Sequence, residues 1–398
     1  MNLISHRSPI WTVLACIALA CAGCKSADTT TSASSSASGR GRATGDASPN
    51  AALLTQVERS HVIGPMAAGE LEYRVAWQYI GSAKAIRLFT QQGDSVFFLD
   101  DQNYLTRIGV NDGNRMWQRQ VADPIEEVLG ITFPGDRVYV TTGGAMLVLD
   151  AGTGSQIDRQ SLHQIANTEP VMYGPYLIYG SRSGQLAWHN GLVGAYYRGY
   201  KVANSVIIPP VLDGDLLVAV GNDGTIMSLS ANSARQYWSK RLLAPIMAAP
   251  AVGNGAVFVA GLDQYLWAFN ATTGRNLWKV LTPAQLTDSP TLIGERVYQQ
   301  IPGQGLFCFE AQPADSPGGV QVWTAPAVNG NVILMRRSEL LVWDDGRKKM
   351  TLADAQRGSM IKNIDLPAAT RLLVGGPQGS DLFAANNDGR VVRLVPRN

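Results

Sequence analysis

The sequence predicts an all-β fold: an eight-bladed β-propeller of four-stranded antiparallel blades, with an N-terminal strand closing the last blade. Three observations predict it. A turn followed by Trp recurs about every 40 residues. Each unit divides into short apolar runs separated by Gly/Asn/Asp turns. The final unit holds only three such runs, while a run around Trp77 has no unit of its own. A period of that length with several short strands marks a propeller rather than separate domains. Composition agrees: with 45% hydrophobic residues, 16% charged, 41 Gly and 20 Pro, the chain reads as well buried and turn-rich.

The first element is an address. His6 and Arg7 lead into an apolar run from Pro9 to Ala20, the pattern of a signal peptide over residues 1–23. The run is shorter than the roughly 20 apolar residues a spanning helix needs. Cys21-Ala22-Gly23-Cys24 resembles a bacterial lipobox, with Cys21 where that pattern prefers Leu. The resemblance implies cleavage after Gly23 and a lipid on the Cys24 thiol. Lys25 follows, not the Asp that retains enteric lipoproteins in the inner membrane, so by analogy the periplasmic face of the outer membrane is expected.

The second element, residues 24–70, reads as a tether. Up to about Asn50 it is rich in Ser, Thr, Ala and Gly and buries too little apolar surface to offset ordering entropy. A short helix is expected over Ala51 to Ser60. Of the four cysteines, Cys16 and Cys21 leave with the signal, Cys24 is lipidated, and Cys308 remains without a disulfide partner. Its setting, Leu306-Phe307-Cys308-Phe309, predicts a buried structural thiol.

The third element, residues 71–398, is the propeller. Trp77, Trp117, Asp158, Arg198, Trp238, Trp278, Trp323 and Lys362 follow one another at steps of 40, 41, 40, 40, 40, 45 and 39 residues. Gly113, Gly154, Gly194, Gly274, Gly319 and Gly358 precede six of these positions by four residues; Ala234 does so for Trp238. Within one unit, Ala249 to Val252, Ala256 to Ala260, Tyr265 to Phe269 and Asn276 to Val280 read as four strands joined by tight turns. In the last unit Arg371 to Val374, Leu382 to Ala385 and Val391 to Val395 are three, and Tyr73 to Gln78 supplies the fourth, which removes a free sheet edge. The unit from Asn331 to Lys362 is the least regular, its first hairpin cramped around Arg336-Arg337-Ser338; discounting it would leave seven blades. Trp77, Trp117, Trp238, Trp278 and Trp323 are the expected blade-docking residues, because an indole buries up to about 250 Å² across a seam.

Ala271-Thr272-Thr273-Gly274-Arg275-Asn276-Leu277-Trp278 carries a family resemblance. It is similar to the tryptophan-docking repeat of quinoprotein-like (PQQ-repeat) propellers, over roughly Glu72 to Arg397. One branch of that superfamily consists of dehydrogenases with pyrroloquinoline quinone, calcium and a vicinal Cys pair; no adjacent cysteines occur here. The other is the lipoprotein of the outer-membrane β-barrel assembly machinery (BamB-type). A lipobox, tether and eight blades without cofactor resemble that plan. The resemblance implies a membrane-anchored envelope scaffold for protein–protein interaction, with barrel-assembly components as partners and no catalysis. A PQQ-dependent or sugar-acting enzyme is the alternative. The segment Arg241 to Ala249 lacks the Leu-x-Leu-Arg-type sequence by which that lipoprotein engages its partner.

Residues with chemical potential are few. No pair among His6, His61, His163 and His189 has metal-ligand spacing, and no metal site or catalytic residue is expected. His189 is read as a turn residue. Asp100-Asp101 and Asp344-Asp345 are read as solvated hairpin turns, with a weak divalent-ion site as the alternative. Met247, Tyr196, Tyr197 and Tyr200 are read as blade packing, with exposed partner-contacting loops as the alternative. The net charge of +2 shows no basic stripe, which argues against nucleic acid.

Overall fold

The structure, a computed structural model, describes residues 49–82, 84–313, 316–376 and 379–397. The expected signal segment, Cys24 and the chain to residue 48 lie outside the described residues. Eight four-stranded antiparallel sheets form the ring. Blade 1 is Ile86–Gln92, Ser95–Asp100, Tyr104–Gly109 and Arg115–Gln120, in that order across the sheet. Blades 2 to 7 repeat the order, starting at Val128, Val171, Val211, Ala251, Thr291 and Asn331. Blade 8 is Arg371–Gly375, Asp381–Ala385, Arg390–Pro396 and then β1, Tyr73–Ile80. The N-terminal strand thus closes the ring, pairing Tyr73 with Pro396 and Gln78 with Val392.

The unit that raised the seven-blade alternative is a full blade. Its first hairpin turns because Arg337 adopts φ of 56°, the left-handed conformation usually left to Gly or Asn. In blade 5 the innermost strand is Ala251–Gly253, later than Ala249 to Val252, because Ala249 and Pro250 end the inter-blade connection.

Each seam is fastened by a donor from one blade to a carbonyl in the next. The indole nitrogens of Trp77, Trp117, Trp238, Trp278 and Trp323 donate to the carbonyls of Val110, Ala151, Ala271, Ala311 and Ala355 at 2.7–3.1 Å. The motif glycine four residues before one Trp therefore receives the Trp of the preceding blade. At Gly274 (φ 68°) an added Cβ would lie 2.6 Å from the Trp238 ring, so glycine answers both the backbone and the indole.

Three seams lack a Trp at the periodic position, and each has a substitute. Between blades 3 and 4, where Arg198 holds the place, Trp188 on the neighbouring strand donates to the Ala231 carbonyl at 2.7 Å. Between blades 7 and 8, where Lys362 holds it, Arg336 donates to the carbonyls of Leu71 and Glu72 and packs 4.8 Å from the centre of the Tyr73 ring. Between blades 2 and 3, where Asp158 holds it, Gln160 Nε2 and the Tyr139 hydroxyl donate to the Gly191 carbonyl at 2.9 and 2.7 Å.

That last seam overturns the reading of His189. It lies within the strand Gln185–Asn190, fully buried, with Nε2 2.8 Å from Gln160 Oε1. Gln160 uses its amide N–H groups elsewhere, so its oxygen accepts and His189 Nε2 donates. Nδ1 is buried without a partner. Burial holds the imidazole below its usual 6.5. Below about 6.5 the unfolded chain binds a proton that the folded chain refuses, so stability falls with pH until the lower folded value is reached. Thermal melts at pH 7.5 and 5.5 should differ more in the natural chain than in His189→Leu; equal differences would remove His189 as the cause.

Tyr196, Tyr197 and Tyr200 also differ from the loop alternative. All three lie on the outer strand Ala195–Lys201. Tyr196 packs on His163 at 4.3 Å, Tyr197 stacks on Tyr176 at 4.8 Å, and the Tyr200 hydroxyl donates to Gln236 Oε1 at 2.7 Å. Arg198 lies against Tyr197, and its hydrogen bond and charge hold that phenol below its usual range.

The ordered unit begins before residue 71. The described part of the expected tether forms α1, Pro49–Ser60, and α2, Pro65–Glu70. Val62, Ile63, Ala68 and Leu71 are buried in the cluster that holds Leu352, Ile364 and Leu382, which covers the blade 7–8 seam. The Glu58 carboxylate accepts from the amides of Met66 and Ala67 at 2.9 and 3.0 Å, capping the start of α2.

Candidate protein-docking face

In an antiparallel blade, the turns between second and third strands and the connections to the next blade emerge on one side of the ring. Four successive connections there, residues 162–170, 202–210, 242–250 and 282–290, share one length and end on buried Pro170, Pro210, Pro250 and Pro290. In each, the fifth residue is a buried apolar anchor: Ala166, Val206, Ile246 and Leu286. Backbone bonds fix them further. Leu242 N donates to the Gly224 carbonyl at 2.9 Å and Leu262 N to the Pro245 carbonyl at 3.1 Å. Asn167 Nδ2 reaches the Val206 carbonyl at 2.9 Å, tying one connection to the next.

Held this way, the intervening side chains project outward. Leu243 is 101% exposed although Leu242 beside it is buried. Met247, Ile207 and Ile165 are exposed on the same series, and Ile125, on the blade 1–2 connection, is 98% exposed. Apolar side chains placed outward on rigid supports lose little further entropy on binding, which suits them to act as anchors in a partner's groove. Met247, read from the sequence as blade packing with an exposed loop as the alternative, is exposed, and Leu243, Ile125, Ile165 and Ile207 were passed over. The exact 40-residue spacing of Pro170, Pro210, Pro250 and Pro290 was the available signal.

Of the remaining carboxylates, Asp100, Asp344 and Asp345 have structural partners, whereas Asp101 Oδ1 is buried with none among the described residues. Asp100 accepts from the amides of Gln102 and Tyr104 at 2.9 Å each, and Asp344 from that of Arg347 at 3.0 Å. Asp345 pairs with Lys348 at 2.7 Å. Cys308 is fully buried, and burial pushes its thiol up to about 12. Among the described residues no three of His, Cys, Asp or Glu are grouped to hold a metal ion.

Comparison with known proteins places this geometry. The family described as "Outer membrane protein assembly factor BamB" matches residues 67–171 and 176–398. A protein of that name from Nitrosomonas eutropha is 21% identical over 344 residues, covering 80% of this chain and 82% of its own. Another from Alkalilimnicola ehrlichii is 31% identical over 134 residues, 32% of this chain and 33% of its own. Among solved structures, BamB from Moraxella catarrhalis superposes with a TM-score of 0.65 at 19% identity, over 81% of this chain and 97% of that one. At that identity the superposition speaks for the fold.

Proposed function

Since the chain belongs to the family of the outer membrane protein assembly factor BamB, we propose that it is a non-catalytic envelope scaffold that docks a component of outer-membrane protein assembly. The observation that carries this is the series of apolar side chains, above all Leu243, held outward on fixed connections. The same reading makes the chain a lipoprotein, anchored through Cys24 at the periplasmic face of the outer membrane, with residues 25–48 between anchor and folded unit. Within it Trp77, Trp117, Trp238, Trp278 and Trp323 serve as docking residues between blades, with no role toward substrate. No observation among the described residues favours a quinone-dependent or sugar-acting enzyme.

The test uses a photo-crosslinking residue at position 243 and, as control, at position 193, where Val193 is exposed on the opposite side of the ring. Position 243 should capture an outer-membrane assembly component that position 193 does not. With the crosslinker kept at 243, Met247→Asp with Ile207→Asp should weaken capture by about tenfold or more, as expected for anchor residues, with an unchanged melt because both side chains are exposed. Identical capture from 243 and 193 would overturn the assignment.

A further inference from the structure

The first helix presents a surface that the ring does not cover. On α1, Leu53, Leu54 and Val57 are exposed by 59%, 57% and 43%. Leu54 and Leu53 lie three and four residues before Val57, spacings that put each on one stripe with it. The far end of the helix is fixed to blade 8: the Ser60 carbonyl accepts from Gln78 Nε2 at 3.0 Å and from Arg390 Nη1 at 2.6 Å. The stripe therefore has a set place on the rim, at blade 8, across the ring from the blade 4–5 connection that bears Leu243.

Charge selects the kind of surface it meets. The first turn of α1 contains no acidic residue and the last contains Arg59. Glu58 is the helix's one carboxylate, and its two oxygens are engaged by the amides of Met66 and Ala67. What remains is an apolar stripe followed by Arg59, a cation with no ion pair among the described residues, which suits an anionic lipid surface.

The chain before α1 supplies the proximity. Residues 25–48 separate Cys24 from Pro49. Even fully extended they span about 85 Å, so a lipid on Cys24 keeps the stripe beside the bilayer at high effective concentration, where a weak contact suffices. We propose that Leu53, Leu54 and Val57 form a second membrane contact, seated on the lipid surface that holds the Cys24 anchor, and that this contact sets the orientation of the ring. The proposal rests on the lipoprotein reading above. A lipid anchor alone limits the distance of the ring from the membrane; a second seat at the rim fixes which side faces it.

The experiment uses the full lipidated chain in phosphatidylethanolamine–phosphatidylglycerol vesicles with brominated acyl chains. A fluorophore is placed on Gln56→Cys, an exposed position on α1, and separately on Val193→Cys. Palmitate incorporation and flotation are measured first, with Cys24→Ser as control. The label at 56 should be quenched several-fold more than that at 193, and Leu53→Asp/Leu54→Asp/Val57→Asp should bring it down to the level at 193 while the melt stays unchanged. A chain that floats but shows no excess quenching at 56, or whose quenching survives the triple change, overturns the membrane contact and leaves the anchor standing. A chain that takes up no palmitate overturns the lipoprotein reading and the proposal together.

Discussion

Removing residues 25–78 should abolish cooperative unfolding, whereas removing residues 25–47 should leave the melt of the natural chain. The longer deletion takes Val62, Ile63, Leu71 and Tyr73, all buried. Each is worth about 1.5–3 kcal/mol, which together rivals the roughly 5–15 kcal/mol that a whole domain holds. It also strips β1 from Arg390–Pro396 and leaves a row of unpaired amides. The buried Arg393 worsens the loss. It pairs with Asp381 at 2.6 Å and donates to the Val110 carbonyl across the seam that Trp77 covers. Circular dichroism melts decide the matter. A longer-deletion product melting as high and as sharply as the shorter one would refute closure by β1.

Trp278→Ala should cost about 3–5 kcal/mol, the range for truncating a buried large aromatic. Trp278 is 1% exposed and packs between Phe258 and Phe309, with ring centres at 5.8 and 6.1 Å. Its loss opens a cavity in the blade 5–6 seam and takes the indole donor from the Ala311 carbonyl. Trp267→Ala is the comparison. That ring lies partly exposed on Phe269 and donates to Asp263 on its own blade at 3.0 Å, so its removal should cost less than half as much. Urea titration gives both values. Equal midpoint shifts for the two variants would mean that seam position carries no special weight.

The ring was legible in the sequence because the repeat is written mostly in two conspicuous residues: glycine in the left-handed turn, with Ala234 (φ 53°) as an exception, and indole on the outer strand. Its substitutes were not. Asp158 and Arg198 look like failures of the motif when one periodic column is followed, yet Gln160 comes from two residues further on and Trp188 from the adjacent strand. Which side chain reaches a carbonyl in the next blade depends on the register between strands. His189 was misread for the same reason: Asn190-Gly191 marks a turn, and only the pairing places His189 before it, inside the strand. The six residues of α2 are too few to show helical periodicity, so the buried Val62 and Ile63 passed as tether. At the docking face, Leu242 and Leu243 are identical in type and opposite in exposure, and only the folded connection separates them.

The motif that reads as one unit along the chain serves two different joints. Gly274 receives Trp238, while Trp278, four residues later, faces Ala311 in the following blade. Consider excising the 40 residues from Trp238 to Leu277. The cut removes one plug together with the socket made for it, and Trp278 falls into the place that Trp238 left, still facing its own socket. Joints of this kind are indifferent to how many units stand between the ends. What limits blade number is then the curvature of the ring and the span of the closing strand, and loss or gain of a whole period is a far milder lesion than loss of half of one.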